Sequence, residues 1–78
     1  MPKIEFILID EPPLRWVALI DYATTYESIV HYSDGRFYHN VDGFDRDIVS
    51  ITTVGDELLF VLQAGRTIAL TPPAVAVG

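Results

Sequence analysis

The stretch Tyr26-Glu27-Ser28-Ile29-Val30-His31-Tyr32-Ser33-Asp34-Gly35-Arg36-Phe37-Tyr38-His39-Asn40-Val41 decides the fold. Asp34-Gly35 lies between two runs rich in β-branched and aromatic residues, a strong short-range hairpin signal. A two-residue turn there pairs Tyr32 with Phe37 and Val30 with His39. One face then carries Ser28, Val30, Tyr32, Phe37, His39 and Val41, and the other carries Glu27, Ile29, His31, Arg36, Tyr38 and Asn40. This register separates mostly apolar from mostly polar side chains, and a one-residue slip would mix them. A competing signal sits at the start of the stretch. Tyr22, Tyr26, Ile29 and Val30 fall at helical spacing, and Thr24-Thr25-Tyr26-Glu27 matches a capping box. The β-rich composition favours a strand, with one short helical turn near residues 24–28 as the alternative.

Working toward the N-terminus, Leu14 to Tyr22 reads as a strand with Leu14, Trp16, Ala18, Ile20 and Tyr22 on one face and Arg15, Val17, Leu19 and Asp21 on the other. Lys3 to Ile9 is a further strand, ended by Asp10-Glu11-Pro12-Pro13 because proline cannot donate to a ladder. Toward the C-terminus, Asp42 to Arg46 reads as a polar loop. Asp47–Val54 and Glu57–Gln63 flank a second tight turn at Gly55-Asp56, which places Val49, Ile51, Thr53, Leu58, Phe60 and Leu62 on one face. Leu58 to Leu62 is apolar on both faces and so suits a central or covered strand. Ala64-Gly65 turns the chain into Arg66–Thr71, Pro72-Pro73 ends that strand, and residues 72–78 form a frayed tail. The expectation is an all-β fold, a small antiparallel meander of about six or seven strands. It would close into an SH3-like or Sm-like barrel, or a curled sheet, as one domain over residues 1–78.

Composition narrows the chemistry. The chain has 78 residues, 8.7 kDa and no cysteine, which excludes disulfides, cysteine–zinc sites and thiol nucleophiles. Its net charge of −6 opposes a phosphate backbone, so direct nucleic-acid binding is not expected. The apolar runs Phe6–Ile9, Trp16–Ile20 and Leu58–Leu62 fall short of the ~20 residues of a membrane span. No charged segment followed by an apolar run marks the start, so the expected location is the cytoplasm, or a host-cell interior. A domain this small has little core to spare, which favours self-association or docking on a partner.

Catalytic patterns are missing. In the register above His31 and His39 lie on opposite faces and cannot share a site within the hairpin. Asp42, Asp45 and Asp47 surround Gly43, but the calcium-loop order, with glycine sixth and glutamate twelfth, is not met and Ile48 follows Asp47, so a solvated acidic loop is the reading, with a cation site as its alternative. Ser28, Ser33 and Ser50 lie in no nucleophile elbow. No glycine loop for phosphate is present, and Lys3 is the only lysine. Asp34-Gly35-Arg36 followed by Gly43-Phe44-Asp45 resembles the first motif of Sm-like RNA-binding proteins. The spacing is one residue short, no asparagine follows Phe-Asp and no Arg-Gly motif comes later, so shared turn chemistry accounts for the likeness. No cofactor or metal is implied.

Charge and apolar surface remain as clues. In an up-and-down meander alternate turns share an end, which would gather Asp10, Glu11, Asp34, Asp56 and Glu57. Asp21, Asp42, Asp45 and Asp47 would take the other end, diluted by Arg46 and Arg66. Tyr22, Tyr26 and Tyr38 are the aromatics expected at the surface, where tyrosine often anchors interfaces. Trp16, Val17, Leu19, Leu59, Val61, Ile68 and Leu70 populate both faces of their strands, more than one thin sheet can cover. The sequence therefore points to a non-catalytic protein-binding module, a small acidic regulator or inhibitor. Its partner would carry a basic surface, such as one that otherwise holds nucleic acid. A phage-encoded origin would suit such a protein. The alternatives are a subunit of a homodimer or larger homo-oligomer, using the face with Leu59 and Val61, and a small ligand-binding or hydrolytic barrel using a histidine.

Overall fold

A computed structural model describes residues 2–73. Among them the chain is all-β apart from one 3₁₀ turn, Gln63–Gly65. Eight strands follow in order: β1 (Lys3–Glu11), β2 (Leu14–Asp21), β3 (Tyr26–Tyr32), β4 (Phe37–Val41), β5 (Phe44–Arg46), β6 (Ile48–Val54), β7 (Glu57–Leu62) and β8 (Thr67–Leu70). They form a five-stranded sheet, β1 to β5, and a three-stranded sheet, β6 to β8. Each is an antiparallel meander in chain order. Neither sheet closes on itself among the described residues. The chain divides into two compact units at Asp47/Ile48, one per sheet.

The segment that balanced helix against strand is β3, and residues 22–25 form an irregular connection rather than a helical turn. Three expectations need correction. Residues 42–46 are not a loop. Asp42 and Gly43, with φ of 48° and 90°, make a two-residue turn that sets Val41 opposite Phe44 and adds the short strand β5. Strand β1 also runs on to Glu11, through an irregularity between Leu8 and Glu11 where Asp10 takes a φ of 45°.

The third correction has the widest consequence. The hairpin loop holds three residues, Ser33-Asp34-Gly35. The Gly35 N–H donates to the Tyr32 carbonyl and the Tyr32 N–H to the Arg36 carbonyl, at 3.0 and 2.8 Å. Gly35 takes a φ of +96°, a left-handed conformation that glycine adopts without penalty and that closes a type I turn into a bulge. The Asp34 carboxylate fixes the loop, accepting from the Arg36 N–H and Nε–H at 3.0 and 2.7 Å. With one residue more than expected in the loop, His31 pairs with Phe37, Ile29 with His39 and Glu27 with Val41. The faces of β3 exchange.

The buried face of the first sheet carries Trp16, Ala18 and Ile20 from β2, Glu27 and Ile29 from β3, and His39 from β4. The alternation expected for β2 is present, with Trp16, Ala18 and Ile20 buried and Val17 and Leu19 half-buried. Val30 and Tyr32, expected in the core, are half-buried on the opposite face. In the second sheet the Gly55-Asp56 turn holds two residues as expected and pairs Ile51 with Phe60 and Thr53 with Leu58. An irregularity between Ile48 and Ser50 displaces Val49, which is 66% exposed. Strand β7 is central, in keeping with its apolar sequence, and Phe60, Leu62, Ile68 and Leu70 are buried. Pro72 and Pro73 follow β8 outside any strand, and the rest of the expected tail lies outside the described residues.

Ile29 has no solvent exposure, so truncating it leaves a cavity in the first sheet. Ile29→Ala is expected to cost about 3 kcal/mol in urea unfolding, whereas Val49→Thr should change stability by under ~0.5 kcal/mol. Equal effects from the two variants would contradict this assignment of faces.

Candidate functional site

Two constellations stand out in the five-stranded sheet. One is on its buried face, where the observed register brings the two histidines together. His31 and His39 lie on the same face, contrary to the sequence expectation, because of the extra loop residue. His39 Nε2 donates to Glu27 Oε1 at 2.7 Å, with the two side chains 3% and 2% exposed. A carboxylate and an imidazole satisfy one another where neither alone is tolerated. Sequence reasoning placed Glu27 on the outer face. Glu27 pairs with Val41 in the ladder and meets His39 diagonally, a relation that no local signal in the sequence records.

His31 stacks on Phe37, with centroids 4.1 Å apart and planes 3° from parallel. Trp16 meets both rings edge-on, at 5.2 and 5.9 Å, and Phe6 at 5.4 Å. Burial pushes the His31 imidazole below its ordinary pKa, Arg15 pushes it further down, and Asp34 opposes both. The Nδ1 atoms of His31 and His39 are buried without a hydrogen-bond partner in the protein. The cluster is closed to solvent at His39 and Glu27. Its chemistry suits a polar core element. Among the described residues no group of three or more His, Asp or Glu side chains is placed to hold a metal.

The second constellation is at the end of the sheet formed by the β1–β2 and β3–β4 turns. The Ser33 N–H donates to the Pro13 carbonyl at 2.8 Å and ties the two turns together. Asp10, Glu11 and Asp34 therefore share this end. Asp34 is exposed, and its hydrogen bond from the Arg36 backbone holds its carboxyl below the usual range, with the Arg36 side chain adding to the effect. The Arg36 guanidinium lies 5.5 Å from the Tyr32 ring centre and 5.7 Å from that of Tyr38, and donates to the Tyr38 hydroxyl at 3.2 Å. The two tyrosine rings meet edge-to-face at 5.1 Å. Arg36 is thus held between a carboxylate and two aromatic faces, and neither Tyr32 nor Arg36 was singled out as a site residue from the sequence.

Within the first sheet the expected binding residues divide between its two ends. Asp10, Glu11, Asp34 and Tyr38 are at this end, with Arg15 and Arg36 diluting the negative charge. Tyr22 and Tyr26 are at the opposite end of the first sheet, where the Asp42 carboxylate and the Asp42 N–H bind the Tyr26 backbone at 3.0 and 2.9 Å. Tyr26 is 56% exposed, Tyr38 41%, and Tyr22 is half-buried. Asp56 and Glu57 belong to the second sheet. The additional strand β5 breaks the alternation of turns from which their grouping with Asp10 was argued. A shallow pocket of about 350 Å3 near the Tyr22 end is lined by Lys3, Asp21, Tyr22 and Ala23.

No helix among the described residues is long and apolar enough to cross a membrane. No protein-family model, curated protein or solved structure matches the chain.

The lowered His31 pKa sets a sign for pH dependence. The folded state favours neutral imidazole, so the unfolded chain takes up the proton first as pH falls through ~6.5. The contribution of His31 to stability is complete above that value and is lost as pH falls below it. His31→Phe should therefore lose less melting temperature than the parent between about pH 7 and 5.5. Equal losses would show that His31 does not carry the slope. In the same assay Glu27→Ala is expected to cost about 3 kcal/mol, because His39 loses its buried partner, and Glu27→Gln less.

Proposed function

We propose that this protein is a non-catalytic protein-binding module, a small acidic regulator or inhibitor that acts by covering a basic surface of its target. The observation that supports the reading is the bond between Pro13 and Ser33, which gathers the carboxylates of Asp10, Glu11 and Asp34 beside the exposed Tyr38. Carboxylates beside a tyrosine suit an arginine- or lysine-bearing surface. The acids steer the encounter and the aromatic ring supplies rigid contact area. Arg36, spanning Tyr32 and Tyr38, pre-orders that area and lowers the entropy lost on docking. A target surface that otherwise binds nucleic acid has the required charge. Closure of the strands into an SH3-like or Sm-like barrel, and action in the cytoplasm or a host-cell interior, belong to the same proposal.

The test compares the parent with the triple variant Asp10→Asn, Glu11→Gln, Asp34→Asn, in which asparagine can still accept from the Arg36 N–H and keep the loop. The immobilised parent is expected to recover a stoichiometric partner from lysate of its own host at moderate salt. The triple variant should bind that purified partner about tenfold more weakly, with reduced salt dependence. Unchanged affinity would overturn the role given to this end of the sheet.

A further inference from the structure

Strand β1 differs from every other strand of the first sheet. It is the longest, nine residues, and pairs with β2 along one edge only; among the described residues no strand pairs with its other edge. That leaves about 30 Å of unpaired backbone. The opposite edge strand, β5, has three residues, a length that limits unwanted pairing. Four large apolar side chains of β1 are accessible, alongside its exposed charged ones: Ile4 is 42% exposed, Ile7 43%, Leu8 47% and Ile9 38%. From Lys3 to Leu8 its pairing is regular, and the irregularity with Asp10 is confined to the far end.

We infer that this edge pairs with the same edge of a second copy of the chain, antiparallel and two-fold symmetric about Ile7. The charge order of the strand selects this partner. Lys3 stands at one end, with Glu5 two residues further in, and Asp10 and Glu11 stand at the other, so the only basic group lies opposite the more acidic end. A parallel copy would set lysine beside lysine and acid beside acid. An antiparallel copy centred on Ile7 sets Lys3 of each chain at the Asp10–Glu11 end of the other. It also places Ile7 against Ile7 and Phe6 against Leu8. Phe6 and Leu8 share a face with Trp16 and Ala18 of β2, so the pairing extends the buried face of one sheet into that of its copy. A two-fold contact needs this self-complementarity, and added strands draw their affinity from main-chain hydrogen bonds. The inference is independent of the turn-end reading above.

The test is charge reversal, read by sedimentation equilibrium. The parent should be a dimer whose dissociation constant rises at least about tenfold in Lys3→Glu, which opposes carboxylates at both ends of the ladder. The double variant Lys3→Glu, Glu11→Lys should restore the parent value. It keeps the altered neighbour of Asp21 within the chain, so restoration is not a folding effect. Hydrogen exchange on the parent gives a second readout: amides of residues 3–8 should slow as protein concentration rises. A monomeric parent, failure of the double variant to restore the dimer, or concentration-independent exchange in β1 would each overturn the proposal. If Lys3→Glu does not fold, the exchange result decides it.

Discussion

The three-residue loop Ser33-Asp34-Gly35 is the constraint on which the first sheet depends. The Asp34 carboxylate holds both the backbone and the side chain of Arg36, and Gly35 supplies the left-handed residue that closes the turn. This small arrangement sets the register of β3 against β4. Side chains alternate with a period of two, so the register decides which half of each strand is buried.

The register accepts a cost in polar burial and offsets it locally. It takes Glu27 and His39 out of water, and they bond to one another at 2.7 Å. In exchange Ile29 becomes fully buried beside Ala18 and Ile20, and His31 enters an aromatic group with Trp16, Phe37 and Phe6. A buried pair of this kind penalises other registers, because a slip separates the partners and strands each without a bond. It therefore contributes to uniqueness of the fold as well as to its stability.

The same loop shapes the surface. Arg36 is held by Asp34 and extends over Tyr32 and Tyr38, while Ser33 reaches back to Pro13. The turn end is consequently an ordered mixture of acids, two arginines and aromatic rings rather than a uniformly acidic rim. Along the flank of the sheet β1 presents a different surface, with Ile4, Ile7, Leu8 and Ile9 exposed and one edge unpaired among the described residues. Two kinds of contact are thus proposed for one small sheet, one selected by charge and aromatic area and the other by main-chain pairing.

The sequence by itself determined the all-β class, most strand positions, the alternation of β2, the two-residue turn at Gly55-Asp56 and the central position of β7. These follow from local signals: glycine-bearing turns, period-two alternation and continuous apolar runs. Only the tertiary structure decided the length of the Asp34-Gly35 loop, and with it the placing of Glu27, Ile29, His31 and His39. Patterning favoured the register that kept Glu27 in water, and no local signal records that an imidazole twelve residues away can satisfy it. The strand β5 escaped notice because three polar-flanked residues carry too short a pattern to read. Asp10, Glu11 and Asp34 were legible as turn residues. Their shared end rests on a backbone bond between Pro13 and Ser33, and such bonds form between atoms that every residue possesses and leave no mark in the sequence.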